Sequence, residues 1–207
     1  MSARGPATRL EMLRARRQLE RMEKGTSLLR RKREALVGEL FHLARPAASA
    51  RAVISTEARA AYEALLEAYA AEGRSGLVPW GWPGHDLRVD IEPLSVWGVP
   101  ASSITGQPQV ERSLEGREAP PPGAGLATIE AAEHFERLVD RLVGSAPREM
   151  LLQRLGLALS RTTRQVNMLE QRLTPALEAR LAEVRRRLDE REREEKVRLL
   201  RAKRRSR

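Results

Sequence analysis

Apolar residues near the N-terminus recur at steps that alternate between three and four: Met12, Ala15, Leu19, Met22, Leu29, Leu36, Leu40 and Leu43, with only Thr26 and Arg33 interrupting the series. A second series near the C-terminus runs Leu152, Leu155, Leu159, Val166, Leu169, Leu173, Leu177, Leu181, Val184 and Leu188, with Thr162 as its polar member. A mean step of three and a half residues keeps these side chains on one stripe of an α-helix, and such a stripe is buried against a second helix with a left-handed twist. The pattern predicts an all-α chain, a long antiparallel two-helix coiled-coil hairpin with a small irregular or β-hairpin middle. Such a body spans a distance or transmits force and is poorly shaped to enclose a substrate.

Three segments follow: an N-terminal coiled-coil arm over residues 1–72, a Pro/Gly/Trp-rich middle over 73–125, and a C-terminal coiled-coil arm over 126–207. Thr8 is the expected N-cap of the first helix, with Glu11 as its capping-box partner. Ala47, Ala50, Ile54, Ala58, Ala61, Leu65 and Ala68 carry the seam on to about Ala71 with one extra step of four, and Pro46 is expected to kink or break the helix. Prolines from Pro79 to Pro122 then forbid long helix; Leu87, Val89 and Ile91 alternate with polar residues, and Val96 to Val99 forms a second apolar stretch, predicting a small β-hairpin. Helix resumes near Ala127, and Gly144-Ser145-Ala146-Pro147 predicts a break or kink with Pro147 as a first helical residue. From there the helix should run to about Arg205, roughly 88 Å at 1.5 Å per residue. Leu173, Leu177 and Leu181 fall at successive fours around Pro175, so the arm is expected to be bent or underwound there.

Composition favours an elongated form: aromatic residues are 3% and charged residues 32% of 207 positions, too few large apolar side chains for a compact core of that size. No run of about 18 apolar residues is present to span a membrane, and the early arginines leave no apolar stretch for a signal peptide. With no cysteine, disulfides, thiolate metal sites and cysteine nucleophiles are excluded, and a cytoplasmic location is the default expectation. The net charge of +10 is uneven: residues 1–50 hold 12 basic and 5 acidic groups, 51–150 hold 9 and 15, and 151–207 hold 17 and 8. The arms are basic and the middle acidic, so the basic ends would attract polyanions or an acidic protein surface.

Candidate chemistry is sparse. Arg185-Arg186-Arg187 and Lys203-Arg204-Arg205 offer a phosphate-binding reading, set against that of a solvated helix face inside an acidic protein cavity. Asp189, Glu190, Glu192, Glu194 and Glu195 interleave with the arginines and would repel nucleic acid. They offer pairs such as Glu190 with Arg193 and Glu194 with Arg198. Glu39 and His42 have the Glu-x-x-His spacing of bundle metal sites, but His134 has Ala131 where a second motif needs Glu. No metal or cofactor is expected, and no phosphate loop follows Gly25-Thr26. Gly25 reads as a place where another helix or subunit comes close. Asn167 could fix register across the pair or lie exposed. Trp80, Trp82 and Trp97 read as a mini-core of the middle, with a partner anchor as the other possibility.

The C-terminal arm contains Thr162-Thr163-Arg164-Gln165-Val166-Asn167-Met168-Leu169-Glu170, then Pro175, then Arg187-Leu188-Asp189-Glu190-Arg191-Glu192-Arg193-Glu194-Glu195. The N-terminal arm contains Thr8-Arg9, Leu13, Lys24-Gly25, Leu28-Leu29, Lys32-Arg33 and Leu36. In their order and spacing these strings resemble the D subunit of the V-type/A-type rotary ATPases. They cover about half the chain, while the middle matches nothing. Ala7 between Pro6 and Thr8, Gln165, Lys196-Val197, Pro46 and Pro147 depart from the family pattern. The resemblance implies a non-catalytic central-stalk shaft that couples ATP synthesis or hydrolysis in a hexamer to rotation and proton or sodium transport. Implied partners are the catalytic and regulatory ring subunits, the small central-stalk F subunit and a membrane-side socket subunit, with no nucleic acid and no membrane span. The implied place is the cytoplasmic face of the membrane. Thr8, Arg9, Gly25, Leu29, Lys32, Arg33, Arg164, Asn167, Glu170, Pro175, Arg187, Asp189, Glu190, Arg191, Arg193 and Glu194 are the candidate contact residues carried by the motif. The alternative is a basic coiled-coil scaffold or nucleic-acid-binding protein.

Overall fold

A computed structural model describes residues 8–78, 88–106, 110 and 125–205. In chain order it holds α1 (Arg9–Leu77), β1 (Asp90–Val96), β2 (Val99–Gly106), α2 (Leu126–Met168), a π-helical turn (Leu169–Leu173) and α3 (Thr174–Arg205). The fold is all-α with a two-stranded antiparallel sheet in its middle. The chain divides into two compact units, one built from the segments ending at Ala35 and starting at Leu159, the other from Leu36–Ala158.

In the first unit α1 begins as the sequence predicts. The Glu11 amide donates to Thr8 Oγ1 at 3.1 Å, satisfying a donor that an uncapped helix leaves bare, and the Met12 amide makes the first helical bond to the Thr8 carbonyl at 3.1 Å. The Glu11 carboxylate is engaged elsewhere, accepting from Arg180 of α3 at 3.1 Å. Every predicted seam position of this unit is buried or half-buried. Ala15, Thr26, Thr162, Val166 and Val184 are its innermost residues. Thr26 belongs in the seam because its hydroxyl donates to the Met22 carbonyl at 2.9 Å, leaving the methyl group for packing.

Arg9 pairs with Glu192 at 2.9 Å and Arg30 with Glu170 at 2.6 Å, so rising numbers in α1 meet falling numbers across the pair. The helices are antiparallel, but not flush as equal arms would be. The Arg30–Glu170 bridge sets Leu29 level with the π turn, some ten positions short of the Leu181 level that flush ends would require. Around Pro175 the expected underwinding takes the form of that turn. Proline has no N–H and its ring collides with the carbonyl four residues back. The Thr174 amide reaches the carbonyl of Leu169, five residues back, and this wider turn accommodates the proline.

In the second unit α1 and α2 are also antiparallel: Arg51 holds Glu149 through two bonds of 2.7 and 2.5 Å, and Glu57 meets Arg141 at 3.3 Å. Leu36 and Leu155 are fully buried, with Ala47, Ala61, Ala68, Ala131 and Leu138 beside them. Tyr62 and Phe135 meet edge to face with ring centroids 6.0 Å apart.

Neither proline at which a kink or break was expected ends its helix. Pro46 lies inside α1 and Pro147 inside α2, rather than at a helix start. Ser49 donates to the Pro46 carbonyl at 3.0 Å and Ser145 to the Leu142 carbonyl at 3.0 Å. The one non-helical residue inside α1 is Gly73, at φ 66° and ψ 179°, a conformation that favours glycine. It falls two residues beyond the expected end at Ala71, and a last short turn reaches Leu77.

The β-hairpin is present but displaced. Val96 pairs with Val99 across a two-residue turn, Trp97 (φ 52°) and Gly98 (φ 75°), so the apolar Val96–Val99 stretch is the turn and strand ends, not a second strand. Positive φ at both central positions matches the twist of a tight hairpin; Gly98 is the local cue, while Trp97 stands where Asn or Asp is usual. Val99 and Ala101 are buried, β1 is mostly exposed, and Arg154 of α2 donates to the Pro100 carbonyl at 2.9 Å, holding β2 to the helix. Leu87, Trp80 and Trp82 lie outside the described residues. Trp97 is 58% exposed at the turn and is no core residue, correcting the mini-core reading for that tryptophan.

Candidate partner-contact surface

The seam is consumed between the helices, so whatever this chain offers a partner lies on its outer faces. Thr8 and Arg9 sit exposed at the start of α1, Thr8 as the cap. Lys32 is exposed on α1, while Leu29 and Arg33 are seam members, half-buried, and so serve the pair. Gly25 has no atom within 4 Å of where a Cβ would stand. No described helix of the chain closes on it.

Across the pair, Arg164 is exposed and bonds to Ser160 of its own helix, through the carbonyl at 3.4 Å and Oγ at 3.0 Å. Asn167 is exposed, which leaves it no part in fixing register. Glu170 is half-buried and holds Arg30; Pro175 is exposed just past the π turn. Arg187 pairs with Glu183 one turn back. Asp189, Glu190, Arg191, Arg193 and Glu194 are all exposed, and of the two pairs expected there Glu194–Arg198 forms at 3.9 Å while Glu190–Arg193 does not. Residues 189–204 of α3 are exposed on every side. The motif residues therefore divide between seam, cross-helix clamp and open charged surface.

The cross-helix clamps were invisible in sequence, because pairing of residues 98 or 183 positions apart depends on register. Their electrostatics are mutual. The hydrogen bond from Arg9, reinforced by its charge, lowers the Glu192 carboxyl below its ordinary value and raises the Arg9 guanidinium. The hydrogen bond from Arg51 lowers Glu149 in the same way and Arg51 rises. Arg9, Glu192 and Arg51 are open to water and Glu149 is half-buried, so each clamp adds little stability. Sequence reading also passed over Tyr62, Leu66 and Tyr69, exposed together on one face of α1 at steps of four and three; the helical spacing was the available signal.

Among the described residues no three His, Cys, Asp or Glu side chains gather as a metal site, and His42 is exposed. No helix among them is long and apolar enough to cross a membrane.

Paired long helices with an internal seam, a charged exterior and a small β-hairpin define a class of helical-hairpin protein. The family model described as the ATP synthase D subunit matches residues 11–204, middle segment included. The chain is 38% identical to a V-type ATP synthase D subunit of Anaeromyxobacter sp. (strain Fw109-5), with 96% of this chain and 92% of that relative covered. It is 36% identical to a V-type ATP synthase D subunit of Thermus thermophilus, covering 95% and 86%. It is 33% identical to that of Deinococcus radiodurans, covering 90% and 82%. The chain belongs to the ATP synthase D-subunit family.

Proposed function

We propose that this chain is the central rotor shaft of a V-type ATP synthase, a mechanical subunit without an active site of its own. It turns inside a ring of catalytic and regulatory subunits, binds the small stalk F subunit and a membrane-side socket subunit, and couples ATP turnover to proton or sodium movement. In this reading it is peripheral on the cytoplasmic face. The observation that carries the reading is the α3 surface: residues 189–204 are exposed all round and densely charged. A shaft has to be closely fitted by its ring yet free to slip, and a charged, hydrated face does this where a large apolar contact would lock.

Such an asymmetric pair of helices can present a different face to each site of a ring and so hold the sites at different stages, which is how a non-catalytic subunit governs chemistry it does not perform. Affinity purification of the chain from its native cell should bring nucleotide-binding ATPase subunits with it, and its addition to the isolated ring should change ATP turnover. ATP hydrolysis by the highly purified chain alone, abolished by a point substitution in it, would refute the proposal. So would failure to associate with any ATPase subunit.

A further inference from the structure

We propose that the first unit contains a compliant joint where Gly25–Arg30 of α1 face the π turn at Leu169–Leu173, a level at which the helix pair opens and twists more easily than on either side. The purpose assigned to it, taking up twist between the two ends of a shaft, rests on the rotor reading above. Its existence rests on the residues alone.

Both helices are weakened at the same height. On α1, Gly25 has open space where a side chain would stand, so the glycine loses helix stability without admitting a close neighbour within the chain. Thr26 follows it in the seam with its hydroxyl spent on the Met22 carbonyl, offering the seam only a methyl group. Opposite, the π turn contains no buried residue, and Pro175 just beyond it withdraws a backbone donor. The Arg30–Glu170 bridge of 2.6 Å fixes this juxtaposition.

On α1 Thr26 is buried at this level, and the sparse packing lies on the opposing helix. Thr162 and Val166 are buried on one side and Val184 on the other, yet no residue between Val166 and Val184 is buried. Local opening is easiest where buried apolar contacts are fewest, so twist applied at one end of the pair gathers here. Arg30 and Glu170 are partly exposed, and a surface ion pair of two long side chains can stay closed while the backbones rotate.

Hydrogen exchange followed by mass spectrometry on the full purified chain tests this. Segments 24–30 and 168–176 should exchange about tenfold faster than 159–166 and 180–188. Gly25→Ala should slow exchange in 24–30 about fivefold, the value of replacing a helix-interior glycine. Pro175→Ala, which restores the missing donor, should slow 168–176 by more. Uniform exchange across the unit, or rapid exchange that neither substitution slows, would overturn the joint. Should Pro175→Ala lose its helical circular dichroism, Gly25→Ala decides alone. The readout needs no ATPase, so failure of the rotor reading would show separately, as a chain that has the joint but binds no ring.

Discussion

Leu36 is fully buried in α1 while Leu28, two turns earlier, is 64% exposed, and these two leucines on one helix give a controlled measure of what the seam contributes. Leu36→Ala removes three carbon groups, about 2.4 kcal/mol at roughly 0.8 kcal/mol each. The cavity left in a seam that cannot fully collapse adds about 1 kcal/mol, for a total near 3.5 kcal/mol, within the usual span for such substitutions. Alanine's slightly better helix propensity offsets only a few tenths of a kcal/mol. For a chain of this size about 1 kcal/mol shifts the midpoint by roughly 2–4 °C, so thermal melting followed at the helical circular-dichroism band should show a fall of roughly 7–14 °C. Leu28→Ala should cost under about 1 kcal/mol, since most of that side chain already touches water. Equal losses in the two variants would mean that the three-four pattern does not define the buried face, and the account of the fold would fail with it.

Thr8→Ala should cost about 1 kcal/mol at the start of α1, seen as faster hydrogen exchange over residues 9–14 with the rest of the helix unchanged. The carboxyls of Glu149 and Glu192 are lowered from an ordinary value of 4.5 by their arginine partners. Their stabilisation is therefore complete above about pH 4.5 and is lost as pH falls through the lower folded values; melting points should decline on acidification through that window, and less so in Glu149→Gln. The register predicts that Leu29→Cys combined with Leu173→Cys or Leu169→Cys oxidises to an intramolecular disulfide in at least one pair, while Leu29→Cys with Leu181→Cys does not. Closure of the Leu181 pair alone would return the arms to flush ends.

The three-four spacing determined by itself that long helices form, which stripe of each is buried, and where α1 begins, because helix periodicity and capping are written in residues a few positions apart. Thr26, Arg33 and Thr162 interrupt the apolar series, yet all three take their seam places, since the period outweighs single polar members. The stutter around Pro175 likewise announced the underwound turn, and the motif strings pointed to the family. Other matters rested on contacts between distant residues. Pro46 and Pro147 stay within helices because the surrounding pair holds their backbones helical, a tertiary preference that overrides local propensity. The hairpin turn fell at Trp97-Gly98 because β2 buries Val99 and Ala101 while Arg154 fixes the Pro100 carbonyl. The register of the arms shows in Arg9 with Glu192 and Arg30 with Glu170, pairs too far apart in sequence to be read in advance. A seven-residue repeat by itself leaves more than one register open, and the full set of contacts across the pair decides among them.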